Sequence, residues 1–384
     1  MTDEDPLHPA LLPAGLRDLL PPDAETEAAS VEALLEVFAA YGYERVKPPL
    51  LEFEDSLLAG AGAAVAEQTF RLMDPDSQRM MGLRADTTPQ VARIAATRLP
   101  TAPRPLRLSY AGQCLRVRGN QLAPDRQIAQ AGIELIGSDV PAADAEVVLV
   151  GAEALAAVGL TNVSFDLTVP TLSPALLDDA GITGTARVAL ARALDRKDAA
   201  AVARHGGPLA ATLNELLLAA GAAEGALAAL ASVQLPPVAR ALADGLAETV
   251  AAIRARAPLL KLTIDPVEFR GFRYHTGVSI TIFAPGRHEE LGRGGRYLSG
   301  EMEPATGLTL YPDAILRVAP PRAPRPRLFI PHGADPDEAR RMRQLGYATI
   351  AGLSPVDDPA AEAHRLGCSH VLRNAAAAPL TTDH

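Results

Sequence analysis

Apolar residues recur at helical spacing near the start of the chain. Leu34 and Leu35 stand four and three residues before Phe38, in a run that predicts a helix over 25–40. Gly42 stands where such a helix needs its C-terminal cap. A short strand is predicted over 43–46. Two further strands, joined by a polar turn, are predicted over 70–73 and 79–83, and a second helix is predicted over 88–97.

Two longer strands are predicted over 106–117 and 126–136, joined by a polar loop into an antiparallel hairpin. Successive strand residues point to opposite faces, so the second strand has one apolar face made of Ala129, Ala131, Ile133 and Leu135. Its other face carries Arg126, Gln130 and Glu134. This row of a cation, an amide and a carboxylate has two interpretations, a solvent-facing surface or the floor of a ligand cleft.

The amino-acid composition changes twice along the second half of the chain. Alanine and leucine dominate 172–257, which predicts a helical insertion, and short strands return over 259–264, 277–283 and 308–311. Closely spaced prolines predict a stiff linker over 319–326. The remaining residues alternate strand and helix patterns. We therefore expect three parts, which are a core over 1–318, the linker, and a small α/β domain over 327–384.

Composition narrows the classes of protein. The 384 residues carry a net charge of -10, which leans against a nucleic-acid partner. No apolar run reaches the length of a membrane span, and the acidic N-terminus is unlike a signal peptide. Cys114 and Cys368 are the two cysteines, and their separation fits no zinc motif. We expect a cytoplasmic protein with reduced thiols, no bound metal and no cofactor.

Three parts of the chain are candidates for ligand binding. Asp86 and Thr88, at a strand-to-helix junction, either cap the helix or accept hydrogen bonds from a ligand ammonium. Arg116 lies near the end of the first hairpin strand, where it is either a solvated rim residue or a binder of an acid group. The glycine-rich segment 292–297 fits no standard phosphate-binding fingerprint, and we interpret it as backbone that packs closely against a ligand.

Several motifs in order resemble the catalytic core of histidyl-tRNA synthetase, a class II synthetase, over 12–318. The matching segments are Pro13–Asp18, Tyr43–Pro49, Tyr110–Gly137 and the histidine-specific stretch Arg270–Tyr274. The resemblance implies an α+β fold with a class II aminoacyl-tRNA synthetase-like antiparallel sheet flanked by helices. A helical insertion and a short α/β C-terminal tail domain complete this expected fold.

The resemblance also implies a site for histidine. In that family, residues matching Asp86 and Thr88 bind the ligand ammonium, and a catalytic arginine beside the carboxylate matches Arg270. Tyr274 and His275 match a tyrosine pair around the imidazole, so His275 is a departure that can still form hydrogen bonds. The full predicted histidine-binding set is Asp86, Thr88, Arg116, Gln130, Glu134, Arg270, Tyr274 and His275, with no catalytic residue.

The nucleotide half of the family's site is altered at three positions. Arg118 replaces the carboxylate expected to contact adenine, and Ile128 replaces the aromatic residue that stacks on it. Ala314 replaces the arginine that holds the γ-phosphate. Each loss removes a contact that an adenylating enzyme needs, and an electrostatic contact of this kind commonly contributes about 10²-fold to a rate. The tail is also about half the length of the family's anticodon-binding domain.

This combination is similar to another family, the regulatory subunits of short-form ATP phosphoribosyltransferase. The similarity implies no aminoacylation activity, L-histidine as ligand, and a role in feedback control of the first step of histidine biosynthesis. It further implies the short catalytic subunit as partner and self-association as a dimer within a hetero-oligomer. Two alternatives remain at this point, a divergent active histidyl-tRNA synthetase and a stand-alone histidine-responsive module.

Overall fold

The computed structural model describes residues 11–119, 124–268, 275–300, 302–321 and 323–380. The chain divides into two compact units, Met1–Pro320 and Pro321–His384, which are described separately. The boundary between the units falls inside the segment for which the sequence predicts a linker. The predicted site residues Arg270 and Tyr274 lie outside the described residues.

The helices of the larger unit lie between Asp23 and Leu316. They are α1 (Asp23–Ala40), α2 (Glu54–Leu57), α3 (Thr88–Thr97), α4 (Pro141–Ala157), α5 (Leu172–Asp179), α6 (Gly184–Asp195), α7 (Ala199–His205), α8 (Ala210–Leu218), α9 (Ala223–Ser232), α10 (Pro237–Arg256) and α11 (Pro312–Leu316). A 3₁₀ segment, Gly60–Gln68, lies between α2 and the following strand.

The strands of the larger unit form one large sheet and one small sheet. They are β1 (Glu44–Arg45), β2 (Leu51–Phe53), β3 (Arg71–Met73), β4 (Met80–Leu83), β5 (Leu106–Leu115), β6 (Gln127–Ile136), β7 (Ser164–Thr168), β8 (Gly221–Ala222), β9 (Lys261–Asp265), β10 (His275–Phe283), β11 (Glu290–Ser299) and β12 (Glu303–Leu310). The large sheet has the order β1-β5-β6-β12-β11-β10-β7-β9-β8, and the small one β2-β4-β3. Within the large sheet, neighbours are antiparallel except for β1–β5 and β7–β9.

One face of the large sheet is covered by helices and forms the main hydrophobic core. Side chains of α1 and α4 pack there against the apolar face of β6, α10 packs against α4, and Phe38, Val150 and Ile133 are all fully buried. The opposite face is partly covered by α3, whose Val91 and Ala95 join a smaller cluster around Tyr110. The polar row of β6 lies on this second face, so the fold places a site there.

Strands β11 and β8 were not predicted from the sequence. The glycine-rich segment 292–297 forms the middle of strand β11, paired with β10 and β12, and its close packing against a ligand stays a prediction. Because glycine has a low strand propensity, the sequence did not predict a strand here. Glycine is nevertheless required, because the neighbouring backbones pack closely. A Cβ on Gly294 would lie 2.2 Å from the carbonyl oxygen of Gly307 on β12. The insertion also contains a short strand, β8, which pairs with β9 and extends the sheet.

The smaller unit is a four-stranded sheet with one helix on each face. Its elements are β13 (Arg327–Ile330), α12 (Pro336–Gln344), β14 (Ala348–Ala351), α13 (Pro359–Arg365), β15 (His370–Arg373) and β16 (Ala376–Pro379), in the strand order β14-β13-β15-β16. Leu328 packs with Met342 of α12, and Phe329 packs with Ala363 of α13, because successive strand residues face opposite sides. Across the described parts of both units, we find no helix with the length and apolarity that a membrane crossing requires.

Candidate functional site

A cavity of about 160 Å³ opens on the second face of the large sheet, where β6, β11 and β12 lie side by side. We call it the Glu134 cavity. Five of the eight predicted histidine-binding residues line it, namely Asp86, Thr88, Arg116, Glu134 and His275. Ala64 and Val65 of the 3₁₀ segment also line it, from outside the sheet. The fold therefore brings together residues separated by up to about 190 positions in the sequence.

The polar row of β6 is not a solvent-facing surface. Glu134 is 0% exposed and Gln130 is 1% exposed, while the alternate residues of the strand pack into the main core. Both faces of β6 are therefore buried, and only one of them is apolar. Of the two interpretations of this row, the solvent-facing one is wrong, because the Glu134 carboxyl and the Gln130 amide are both buried and Glu134 borders a cavity.

Glu134 lies deepest in the cavity. The Tyr297 hydroxyl donates a hydrogen bond of 2.9 Å to its Oε2 atom. Burial raises the pKa of Glu134 to about 8, although the Tyr297 hydrogen bond partly lowers it. The carboxyl group is therefore mostly protonated at neutral pH. Gly307 faces it across the β6–β12 pair, where a Cβ would lie 1.9 Å from Oε2, so only glycine leaves room for this carboxyl.

His275 begins strand β10 beside the glycines of β11. Burial, with a further contribution from the Arg293 guanidinium, lowers the pKa of His275 to about 3. Its imidazole is therefore neutral across the physiological range. A Cβ on Gly295 would lie 3.2 Å from Nε2 of His275, so the glycine gives the ring its space. The cavity thus presents a neutral imidazole and a protonated carboxyl, both able to form directional hydrogen bonds.

Asp86 and Thr88 enter the cavity at the start of α3. The backbone N–H of Thr88 donates to Oδ1 of Asp86 at 3.0 Å, but Thr87 occupies the N-cap position, and no side chain among the described residues caps the helix. Both residues also line the cavity, and the Thr88 hydroxyl lies 3.4 Å from the Tyr110 hydroxyl. This hydrogen bond occupies one carboxylate oxygen, so it is compatible with the ligand-binding interpretation of Asp86.

Gln130 lies below the cavity and is not among its lining residues. Its Oε1 atom accepts hydrogen bonds from the backbone N–H of Thr87 at 3.0 Å and from the Cys114 thiol at 3.1 Å. Its Nε2 atom is buried and, among the described residues, has no hydrogen-bond partner. Gln130 therefore fixes the start of α3, and with it the position of Thr88.

A second cavity, also of about 160 Å³, adjoins the first, and we call it the Ile128 cavity. Arg116, Arg293 and Tyr311 line both cavities and so form their common wall. Two of the three positions altered in the nucleotide half, Ile128 and Ala314, line the Ile128 cavity. The third altered residue, Arg118, is exposed and is not among the lining residues.

Carboxylates surround the Ile128 cavity and are engaged by arginines. The lining includes Asp125, Glu289, Glu290 and Asp313. Arg317 forms ion pairs with Glu289 and, at 3.5 Å, with Asp125. Arg17, from the first synthetase-like segment, lies 3.6 Å from Asp313. These pairs join the chain start, the end of the hairpin loop and α11 at the place where the resemblance locates a nucleotide.

Tyr297 and Arg293 are among the lining residues of the Glu134 cavity that sequence reasoning missed. Both lie on β11 with Gly295 between them, at the two-residue spacing of one strand face. Tyr297 is only 2% exposed, and its hydroxyl reaches Glu134. The alternation of Arg293, Gly295 and Tyr297 could have indicated one face of a strand. The low strand propensity of the glycines argued against that interpretation.

Known proteins resemble the chain over most of its length. The sequence model of the histidyl-tRNA synthetase family matches residues 15–315. The ATP phosphoribosyltransferase regulatory subunit of Paramagnetospirillum magneticum is 58% identical over 363 residues, which are 94% of this chain and 96% of the relative. The regulatory subunit of Rhodospirillum centenum is 57% identical over 374 residues, 97% of each chain.

Solved structures confirm the predicted fold class. An ATP phosphoribosyltransferase regulatory subunit/histidyl-tRNA synthetase from Bacillus halodurans superposes with a TM-score of 0.78 at 23% identity, covering 92% of this chain and 96% of the other. Histidyl-tRNA synthetase from Nostoc sp. PCC 7120 gives a TM-score of 0.77 at 18% identity, covering 94% and 90%. At these identities the likeness concerns the fold alone.

Proposed function

The chain belongs to the family of ATP phosphoribosyltransferase regulatory subunits, and we propose that it senses L-histidine for that enzyme. In this proposal the chain partners the short-form catalytic subunit, dimerises within the hetero-oligomer, and has no aminoacylation activity. It is required for the first step of histidine biosynthesis and mediates feedback inhibition by histidine. The observation that carries the proposal is that five of the predicted histidine-binding residues line one cavity, whereas Ile128 and Ala314 line the adjoining one.

The groups of the Glu134 cavity match the three parts of histidine. Asp86 and Thr88 offer oxygen acceptors to the ammonium, and Arg116 offers a guanidinium to the carboxylate. Glu134 and His275 offer a carboxyl and a neutral imidazole to the ligand ring. Gln130, Arg270 and Tyr274 complete the set that the family resemblance implies. The buried members Glu134 and His275 discriminate between ligands, because a ligand without the matching groups leaves these partners unpaired.

The Ile128 cavity is poorly suited to ATP. A triphosphate needs an excess of positive charge, whereas the residues that line this cavity include four carboxylates and three arginines. Arg317 is already engaged by Glu289 and Asp125. The aliphatic Ile128 gives no aromatic surface for adenine, and Ala314 gives no cation. These features support a subunit that binds the amino acid and does not activate it.

Calorimetry with L-histidine and, separately, with ATP tests the ligand. We expect histidine to bind and ATP to give no saturable heat. Asp86→Asn removes the charge that faces the ammonium and should weaken histidine binding about tenfold or more. Asp76→Asn, in the exposed turn between β3 and β4, is the matched control and should leave binding unchanged. Tight ATP binding without histidine binding would overturn the proposal.

Reconstitution with the short catalytic subunit tests the regulatory role. We expect the phosphoribosyltransferase activity to require this chain and to fall when histidine is added. Coupling between two sites is reciprocal and is typically about 1–3 kcal/mol, so the catalytic subunit's substrates should weaken histidine binding by the same factor. Histidine-dependent exchange between ATP and pyrophosphate by this chain alone would instead favour the synthetase alternative.

A further inference from the structure

Arg293 stands where the two cavities meet. It lies on the face of β11 that carries Gly295 and Tyr297, and it lines both the Glu134 cavity and the Ile128 cavity. It is close enough to His275 to contribute to the low pKa of that imidazole. The proposed function assigns no role to this guanidinium.

The charged groups of the Glu134 cavity allow Arg293 to bind a ligand carboxylate. An α-amino acid brings one ammonium and one carboxylate, and Asp86 supplies the negative partner for the ammonium. Arg116 already donates from Nε to the carbonyl oxygen of Ala85 at 3.4 Å, which fixes part of its guanidinium against the backbone. Arg293 is the second guanidinium on the common wall, and two guanidinium groups can hold one carboxylate through paired hydrogen bonds.

The ion pair between Arg293 and Glu290 is readily exchanged. The Arg293 guanidinium pairs with Glu290, three residues earlier on the same strand. The Arg293 side chain is 43% exposed, and solvated ion pairs of this kind contribute at most about 1 kcal/mol. A ligand carboxylate held inside the Glu134 cavity is less solvated and competes effectively for the same donors.

We propose that Arg293 binds the carboxylate of the amino-acid ligand by exchanging it for Glu290. This inference rests on the proposed function, because it names a further residue of the same histidine site. The exchange releases the Glu290 carboxylate toward the Ile128 cavity, which already contains Asp125, Glu289 and Asp313. Occupation of the amino-acid site thereby changes the charge balance of the adjoining cavity.

Two ligands and three variants separate this role from a structural one. The ligands are L-histidine and L-histidinol, in which a neutral hydroxymethyl group replaces the carboxylate. Arg293→Gln should weaken histidine binding about tenfold, the loss expected for a charge-assisted hydrogen bond, and should change histidinol binding less than about twofold. Glu290→Gln removes the competing carboxylate and should tighten histidine binding. Arg287→Gln, an exposed arginine outside both linings, is the matched control.

The outcomes are distinguishable from failure of the proposed function. If the unmodified protein binds no histidine, the proposed function fails and this inference fails with it. If the unmodified protein binds histidine and Arg293→Gln binds it equally well, only the role of Arg293 is overturned. Equal weakening of histidine and histidinol would also overturn it, because a guanidinium that merely shapes the cavity affects both ligands alike.

Discussion

Glu134 provides a direct test of the cavity's electrostatics through the pH dependence of folding. Its carboxyl is 0% exposed, and burial raises its pKa from 4.5 to about 8. Between these two values the folded chain keeps a proton that the unfolded chain has released. Stability therefore falls as the pH rises through this window, because the folded state binds more protons than the unfolded state. Glu134→Gln has no proton to lose and removes this contribution.

The magnitude follows from the size of the pKa shift. Each pKa unit corresponds to about 1.36 kcal/mol, so a shift from 4.5 to about 8 corresponds to roughly 5 kcal/mol across the full window. Glutamine is close in shape to glutamic acid, and its amide oxygen can still accept the Tyr297 hydrogen bond. We expect Glu134→Gln to gain stability relative to the unmodified chain as the pH is raised from 5 to 8.

Urea unfolding followed by circular dichroism at pH 5 and pH 8 measures the effect. The matched control is Glu36→Gln on α1, where the side chain is exposed. We expect the stability difference between Glu134→Gln and the unmodified chain to grow by at least about 2 kcal/mol over this range. A difference that is the same at both pH values would refute the protonated, buried carboxyl.

Three further predictions concern binding and the second unit. A plot of histidine affinity against pH should be bell-shaped. The imidazole of free histidine gains a proton below about pH 6.5, and Glu134 loses its proton above about pH 8. Calorimetry on Glu134→Gln should show no loss of affinity on the alkaline side. Gly307→Ala should abolish measurable histidine binding, since its Cβ would displace the Glu134 carboxyl, whereas Gly225→Ala, which has open space at its Cβ, should bind normally. Phe329→Ala should destabilise the smaller unit by about 3–5 kcal/mol and make it sensitive to proteolysis, without changing histidine affinity, because the Glu134 cavity lies within the larger unit.

Strand periodicity accounts for the part of the site that was predictable from sequence. Alternation along β6 placed Gln130 and Glu134 on one face, and the structure buries both of them there. Periodicity could not decide whether that face meets solvent or a cavity, because the answer depends on β11 and β12, which are far away in sequence. It also could not separate Glu134, which lines the cavity, from Gln130, which lies beneath it.

The β11 face was unpredictable for a different physical reason. Its glycines are required by close contacts with neighbouring strands, as at Gly294 against the Gly307 backbone, and these contacts exist only once the sheet has formed. Local propensity therefore argues against a strand where tertiary packing demands one. Tyr297 and Arg293 were missed because their functional positions depend on that strand.

The common wall of the two cavities offers a physical reason why a synthetase-like core suits a regulatory subunit. Arg116, Arg293 and Tyr311 face both the Glu134 cavity and the Ile128 cavity, whose carboxylates pair with arginines from other segments. Arg17 and Arg317 link the chain start and α11 to Asp125 at the end of the hairpin loop. A change of charge at the wall acts on both sides of it, since Coulomb interactions at these short distances are weakly screened by salt. Binding in the first cavity can thus alter the ion pairs of the second without any chemical step.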